Sequence, residues 1–382
     1  MTRGSNSGGG DLDRQLASYR NEFPVLQNKL YLNSCSLGAI PHRALDALDE
    51  FGGDWASEGT VAWEKWMKKS DLLRRRLADL LGVSPRTICL QPNVSAALAS
   101  IASVMDFQSR SQVVSSTLEF PTVLYQWQTR EGIDLRLADS PDGIGVPRES
   151  YVDLIGPDTA LVPISHVLYG TGAIQDVRGI TAHAHAEGAR VLLDTYHSAG
   201  VMPVDLARLE VDFAVGGVLK WLCGGPGCAF LYVREDLLDE LNPAGIGWFA
   251  HADQFAFSPE FEPSEDATKF SFGTPAVGPI YTALASLEIF EEIGMDQIRE
   301  KNVALIDRLV EGARDLGLDM YSPEDPDRRG GAVFIGVDNP HEVLARLVEA
   351  EVVVDVRGGK VRVSPHFYNT REEIDAFLDL LA

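Results

Sequence analysis

Residues 190–233 read RVLLDTYHSAGVMPVDLARLEVDFAVGGVLKWLCGGPGCAFLYV. They hold two short apolar runs of β type, Val191–Leu193 and Val211–Val215, and a third, Cys228–Val233, after the turn Gly224-Gly225-Pro226-Gly227. The first run ends in a carboxylate, Asp194. The second leads through Gly216-Gly217 to Lys220, set between Val218-Leu219 and Trp221-Leu222. A lysine amid apolar neighbours loses hydration of its charged form, so its amine is more easily neutral. An acid at the end of a buried strand points into the crevice where open α/β sheets place their ligands. Either residue alone reads more simply as structure: a strand-end acid, and a lysine whose stem packs while its head reaches water. Together, with His197 three residues after Asp194, they favour another reading. Lys220 forms a Schiff base with an aldehyde cofactor, and Asp194 charges that cofactor's ring nitrogen.

Working outward, further β-type runs fall at Lys29–Leu32, Thr87–Leu90, Gln112–Ser115, Asp134–Ala138 and Ala160–Ser165. Helical patterns fall at Leu12–Tyr19, Pro41–Gly52, Ser70–Leu81 (stopping at Gly82), Ile180–Glu187 and Leu237–Leu241. This strand–helix rhythm predicts an α/β fold with a mostly parallel, seven-stranded sheet covered by helices. Residues 242–275 are irregular and aromatic, the texture of a binding loop, a lid or an interface. Two long helices follow, from Ala276 to about Ile293 and from Met295 to Leu316. The end of the chain predicts a small α+β unit. A strand at Ala332–Val337 precedes a helix capped by Asn339 with Pro340 at its first position. Strands Val352–Val356 and Lys360–Ser364 form a hairpin around Gly358-Gly359, and Thr370–Glu373 makes a capping box for the last helix. The organisation expected is a flexible tail at 1–11, a segment at 12–44 packing with the small domain, a large cofactor-binding domain at 45–275, and a small domain at 276–382.

The chain has 382 residues, 45% hydrophobic and 23% charged, with a net charge of -23. That charge argues against nucleic acid or anionic membrane as a partner. No apolar run has the length of a membrane span, and MTRGSNSGGGD lacks the apolar stretch of a secretory signal. Four cysteines, Cys35, Cys89, Cys223 and Cys228, are too sparse for a disulfide framework and too widely spaced for a zinc site. A reduced, cytoplasmic setting is expected, with no metal.

Three more features bear on a site. The polar turn Gln91-Pro92-Asn93-Val94-Ser95 opens a small-residue helix, whose free N–H groups and positive dipole suit a phosphate. Plain capping by Asn93 or Ser95 reads as well. Phe120, at a strand end, could stack on a planar ring or simply join the core. Trp63 and Trp66, three apart, read as a packed helix face.

At this point the chain resembles the class V aminotransferase group of pyridoxal-phosphate (PLP) enzymes, of the type I aspartate-aminotransferase-like fold. Kynureninase, cysteine desulfurase and isopenicillin N epimerase belong to it. The resemblance runs from about residue 20 to the end. Its most specific part is D-x-x-H-x-x-G at Asp194–Gly200, then Val211-Asp212, then Lys220 before a glycine turn. Phe120-Pro121-Thr122, Tyr169-Gly170-Thr171-Gly172, Gly247–His251, Gly273-Thr274-Pro275, Arg362-Val363-Ser364 and Tyr368-Asn369-Thr370 support it. The resemblance implies that Lys220 holds pyridoxal 5'-phosphate as an internal aldimine and later moves protons. It implies that Asp194 pairs with the pyridinium nitrogen, that His197 lies near the phenolic oxygen, and that Phe120 stacks on the ring. Asn93, Val94 and Ser95 take the phosphate. Gly273 and Thr274 complete that site from a second subunit, which implies a homodimer. Arg362 clamps the substrate α-carboxylate, with Asn33 and Trp248 as further candidate substrate contacts.

Departures narrow the reaction. No cysteine occurs in VSPHFYNT after Arg362 to carry a persulfide. Leu219 stands where kynureninases place a tyrosine before the lysine, and Thr274-Pro275 stands for their Asn-Pro. The expected activity is transamination or deamination of a free α-amino acid. The alternatives are a kynureninase-like or Cβ–S/Cβ–C lyase or hydrolase, and a non-catalytic binding protein on the same fold.

Overall fold

A computed structural model describes residues 15–382. The expected tail at 1–11, and the first residues of the helix read over Leu12–Tyr19, lie outside them. Twelve strands are present among the described residues. Seven build the main sheet: β2 (Ile88–Gln91), β3 (Gln112–Ser116), β4 (Asp134–Ala138), β5 (Thr159–Ser165), β6 (Arg190–Asp194), β7 (Phe213–Gly217) and β8 (Ala229–Val233). Their order is β2-β8-β7-β6-β5-β3-β4. Only β8 runs antiparallel to its neighbours, because the short glycine turn after Lys220 returns the chain directly beside β7. The mostly parallel, seven-stranded sheet expected from the sequence is therefore present.

Alternation along the strands sends side chains to two different cores. Val191 and Leu193 of β6 pack with Ile164, Phe230, Ile180 and Ala184. Leu192 between them packs on the other face with Phe213, Val215, Leu98, Ile101 and Trp127. Each such fully buried aliphatic or aromatic side chain stabilises the fold by about 2 kcal/mol. Helix Val94–Val104 covers one face and helix Val177–Ala186 the other. No helix among the described residues is long and apolar enough to cross a membrane.

A second, three-stranded sheet has the order β11 (Asp355–Arg357), β12 (Lys360–Val363), β9 (Val333–Ile335). Its core joins Val333, Ile335, Val361 and Val363 to Leu305 and Leu309 of helix Met295–Asp315 and to Ile374 and Phe377 of the last helix. The early strand β1 (Leu30–Tyr31) pairs in parallel with β10 (Val352–Val353), so the N-terminal segment runs along this part of the chain.

Several local readings need correction. The helix expected to stop at Gly52 runs from His42 to Glu58, through Gly52-Gly53. Two interior glycines cost about 1 kcal/mol each, but contacts on both sides hold this helix. Phe51 meets Tyr281 at 5.5 Å, and the Tyr281 hydroxyl donates to Asp54 at 2.6 Å. The helix expected from Ser70 begins at Trp63. Trp63 and Trp66 do pack together, 5.3 Å apart. Leu237–Leu241 forms only the 3₁₀ turn Glu235–Leu237 and loop, being too short to sustain a helix. Val352–Val356 divides into β10 and β11, which serve different sheets. Asn339 precedes its helix, but its side chain caps nothing: φ is 52°, whereas a side-chain cap needs extended backbone. The capping box at Thr370 and Glu373 is formed as read.

Candidate active site

Four neighbouring strands, β7, β6, β5 and β3, end on the same edge of the sheet, and each leads into a residue of one cluster. Register places Ser165 beside Asp194 and Asp194 beside Val215. β6 ends in Asp194, 9% exposed, whose Oδ1 accepts the Tyr196 backbone N–H at 2.8 Å. Burial pushes its carboxyl pKa up, against that hydrogen bond and the Lys220 charge. β7 continues into Lys220, whose Nζ lies 2.9 Å from His197 Nε2 and 4.3 Å from the centre of the Tyr196 ring. The loop after β3 supplies Phe120, 41% exposed, with its ring 5.7 Å from Lys220 Nζ and edge-on to Tyr169.

The lysine is held by its backbone. Cys223 N–H donates to the Lys220 carbonyl at 3.0 Å and Gly224 N–H to that of Val218 at 2.8 Å. Ser286 and Thr282 of helix Val277–Ile293 bond the carbonyls of Cys223 and Gly224. His366 Nε2 lies 2.8 Å from the Trp221 carbonyl, so that nitrogen carries the proton. Two glycines are required by close approach. A Cβ on Gly217 would sit 2.4 Å from the Tyr196 ring, and one on Gly38 would sit 2.0 Å from the Lys220 carbonyl oxygen.

The electrostatics favour a reactive amine. Burial brings the Lys220 pKa down to about 8, helped by Arg362 and Arg357 and opposed by Asp194. Burial, with the charges of Lys220 and Arg362, holds His197 well below its usual range, so its ring is neutral.

Arg362, 4% exposed, lies on β12 directly across from Asp355 on β11. Its Nε and Nη2 both donate to the Asp355 carboxylate, the former at 2.9 Å. This side-on pairing uses two of five N–H groups and leaves the end-on face of the guanidinium free. Asn33 is bridged to Ser364, next along from β12, and its buried Oδ1 has no hydrogen-bond partner. Cys35 is fully buried, with its N–H on Ser364 Oγ at 3.1 Å, and lies within electrostatic range of Arg362 and Lys220.

None of the other expected residues hydrogen-bonds to Lys220, Asp194 or His197. Asn93 caps helix Val94–Val104, its Oδ1 accepting Ala96 N–H at 2.9 Å. Val94 is half-buried and Ser95 exposed at the start of that helix. Gly273 and Thr274 line a cavity of about 520 Å³ with Gln91, Pro92, Cys228 and Phe249. Neither Lys220 nor Asp194 lines that cavity. Trp248 joins an aromatic group with Trp63, Phe249, Phe255 and Phe257, at ring separations of 4.3 to 6.1 Å. The sequence reading missed Tyr196 and Asp355. Tyr196 stood inside the D-x-x-H motif. Asp355 could have been found by counting outward from Gly358-Gly359, which pairs 357 with 360 and 355 with 362.

The cluster fits the pyridoxal phosphate expected from the sequence. An easily neutralised amine, a buried carboxylate one strand away, a neutral imidazole and an exposed aromatic face converge on one crevice.

Comparison with known proteins agrees. The chain is 32% identical over 364 residues to an uncharacterized aminotransferase of Bacillus subtilis, covering 95% of this chain and 96% of that one. It is 32% identical to a kynureninase of Pseudomonas fluorescens, covering 92% and 87%. The cystine C–S lyase C-DES, solved with its product cysteine persulfide, superposes with a TM-score of 0.87 at 26% identity, covering 94% and 98%. A C-DES variant has been solved with glycine covalently linked to its PLP cofactor. The sequence model of class-V aminotransferases matches residues 30–377, and the chain belongs to that family.

Proposed function

We propose that this chain is a PLP-dependent enzyme acting on a free α-amino acid, with transamination as its reaction. The observation that carries the reading is the 2.9 Å contact of Lys220 Nζ with His197 Nε2, one strand away from buried Asp194. Bound in this crevice, PLP supplies an aldehyde that condenses with amines and a ring that accepts negative charge from the substrate Cα. Lys220 Nζ would hold the cofactor aldehyde and would move the proton at the substrate Cα. Asp194 keeps the ring nitrogen protonated. His197 accepts hydrogen bonds at Nε2 and orients the amine. Phe120 covers one ring face. The free N–H groups of Val94 and Ser95 at the helix start receive the phosphate. The end-on face of Arg362 takes the substrate carboxylate, and Asn33 Oδ1 is a ready acceptor for a substrate N–H. Trp248 is proposed as a more distant substrate contact. We propose further that the large unit spans 45–275 and the small one 276–382, and that two copies pair in the cytoplasm. Gly273 and Thr274 line a cavity that Lys220 and Asp194 do not, which supports their serving the partner's site.

A second reading, cleavage at Cβ, is supported by the superposition on the C–S lyase. The test is incubation of the holoenzyme with a panel of amino acids. Accumulation of pyridoxamine phosphate, discharged by a keto acid, is the result expected. Release of pyruvate or alanine from β-substituted substrates, without pyridoxamine phosphate, would replace transamination with the lyase reading. No spectral response to any amino acid would remove both.

A further inference from the structure

Beneath the site lies a second buried carboxyl that the proposed chemistry does not use. Glu119 follows β3, immediately precedes Phe120 and is 3% exposed. Its Oε1 accepts from Ser165 N–H at 3.0 Å, Gln175 Nε2 at 3.3 Å and Ser116 Oγ at 3.4 Å. Its Oε2 meets one group, the Ser165 hydroxyl. Gln175 is fixed in turn, donating to the Ser165 carbonyl at 2.7 Å and accepting from the Tyr151 hydroxyl at 2.7 Å. All of Glu119's hydrogen-bond partners are neutral.

These four donors favour the anion, and burial without a facing cation opposes them. Oε2 faces only a hydroxyl, which can accept a hydrogen bond as readily as donate one. Ser165, held by both oxygens, is the cross-strand neighbour of Asp194. Two carboxylates so close in a buried region cannot both ionise cheaply.

We propose that Glu119 is a positioning residue that carries a proton while Asp194 is ionised, so that the crevice holds one buried negative charge and Phe120 is anchored by a neutral network. The functional sense of this rests on the cofactor role proposed for Asp194, but the protonation itself does not. The titratable groups facing Glu119 are the Tyr151 hydroxyl, from helix Arg148–Val152, and the Asp194 carboxyl of β6. The nearest histidine along β5, His166, turns its Nδ1 to Ser198 instead, at 3.1 Å. Burial, opposed by the hydrogen bonds from Ser165 and Gln175 and aided by Asp194, raises the Glu119 pKa to about 7 from 4.5.

The sign follows from linkage. A carboxyl with a raised folded pKa favours the native state fully below its unfolded pKa and loses that advantage as pH rises through the folded pKa. Glu119→Gln has a similar shape and can make the same bonds with no charge at any pH. The experiment compares thermal unfolding of cofactor-free wild type and Glu119→Gln between pH 5 and 8.5. The two should melt together near pH 5, and the variant should melt several degrees higher above pH 7.5. In an Asp194→Asn background the loss of a like charge lowers the Glu119 pKa, so the gap should reach its plateau at lower pH and be smaller. A glutamine variant less stable than wild type at every pH would overturn the proposal, since Glu119 would then be a working anion. An unmoved gap in the Asp194→Asn background would overturn the coupling. Both measurements use protein without cofactor, so they stand apart from any failure to bind PLP. In holoenzyme, the pH dependence of the bound cofactor's absorbance should differ between wild type and Glu119→Gln around neutrality. A merely structural glutamate would leave it unmoved.

Discussion

Asp355 and Arg362 face each other across the β11–β12 hairpin, and the carboxylate takes the Nε and Nη2 side of the guanidinium. The arginine is thereby aimed, with three N–H groups left for a ligand. Asp355 is itself shared with Arg357, at 3.2 Å. Arg362→Lys replaces a planar fork with a point charge, and the Lys360 side of the hairpin offers no substitute. A charge-assisted pair contributes about 1.5–3 kcal/mol, so KM for the amino acid should rise about 10- to 100-fold with kcat changed much less. Asp355→Asn should raise KM in the same direction by freeing the guanidinium to swing. Steady-state kinetics on both variants check this, and an unaltered KM in Arg362→Lys would rule out the clamp.

Lys220 should show its depressed pKa directly. Its amine is neutral above a pKa of about 8, against 10.5 for an exposed lysine. At pH 7 the neutral fraction is therefore roughly 300-fold larger than for an ordinary lysine. The rate of PLP uptake by cofactor-free protein should climb with pH through about 8 and then level off. Lys220→Ala should show no cofactor fixed by borohydride. A rate still climbing steeply at pH 9.5 would mean that the amine is not desolvated in this way.

What the sequence disclosed and what it hid follow one division. Buried strands announced themselves because continuous apolar runs such as Val191–Leu193 are dictated by two covered sheet faces. Lys220, Asp194 and His197 were legible because they fall within one short stretch. Groups whose partners are set by register across strands were hidden. Glu119 meets Ser165 only because β3 and β5 are neighbours, and Arg362 meets Asp355 only through the hairpin. Helix ends were misplaced where tertiary contacts outweigh local preference, as at Gly52-Gly53. Asn339 has a capping side chain but the wrong φ to use it.

Cys35 offers a check on desulfurase chemistry. Nothing in its sequence surroundings places it near the site, yet it lies in range of both Arg362 and Lys220. Burial pushes its thiol pKa up, so it is a thiol and not a nucleophilic thiolate. All four cysteines are free and buried. Folded protein at pH 8 should therefore react slowly with a thiol reagent, and all four should react on unfolding. Cys35→Ala should keep its turnover within about threefold, since only packing is lost, at a cost of about 1 kcal/mol in stability. Fast labelling of Cys35 that an amino acid blocks would instead put the thiol in the substrate's path.

Asp212 ties down the opposite end of the strands that carry the site. Its carboxylate accepts Val191 N–H at 2.7 Å, meets Arg234 Nη1 at 2.7 Å and lies 2.8 Å from His185 Nε2. Asp212 is 2% exposed, while the Arg234 and His185 side chains that meet it are 32% and 33% exposed. One residue thus fixes β6 through Val191 and the end of β8 through Arg234, just before β7 begins. Removing the buried carboxylate strips Val191 N–H of its side-chain acceptor and leaves two partly exposed bases that water can solvate, at a cost of about 1–3 kcal/mol. Asp212→Ala should lower the unfolding free energy by that amount in urea titrations of cofactor-free protein. Asp212→Asn, which can still accept from Val191 N–H, should lose less. Because the lock sits at the far end of β7 from Lys220, the folded fraction of either variant should still bind PLP with the wild-type absorbance. A loss under about 1 kcal/mol in Asp212→Ala would show that the strands are held by their apolar faces alone.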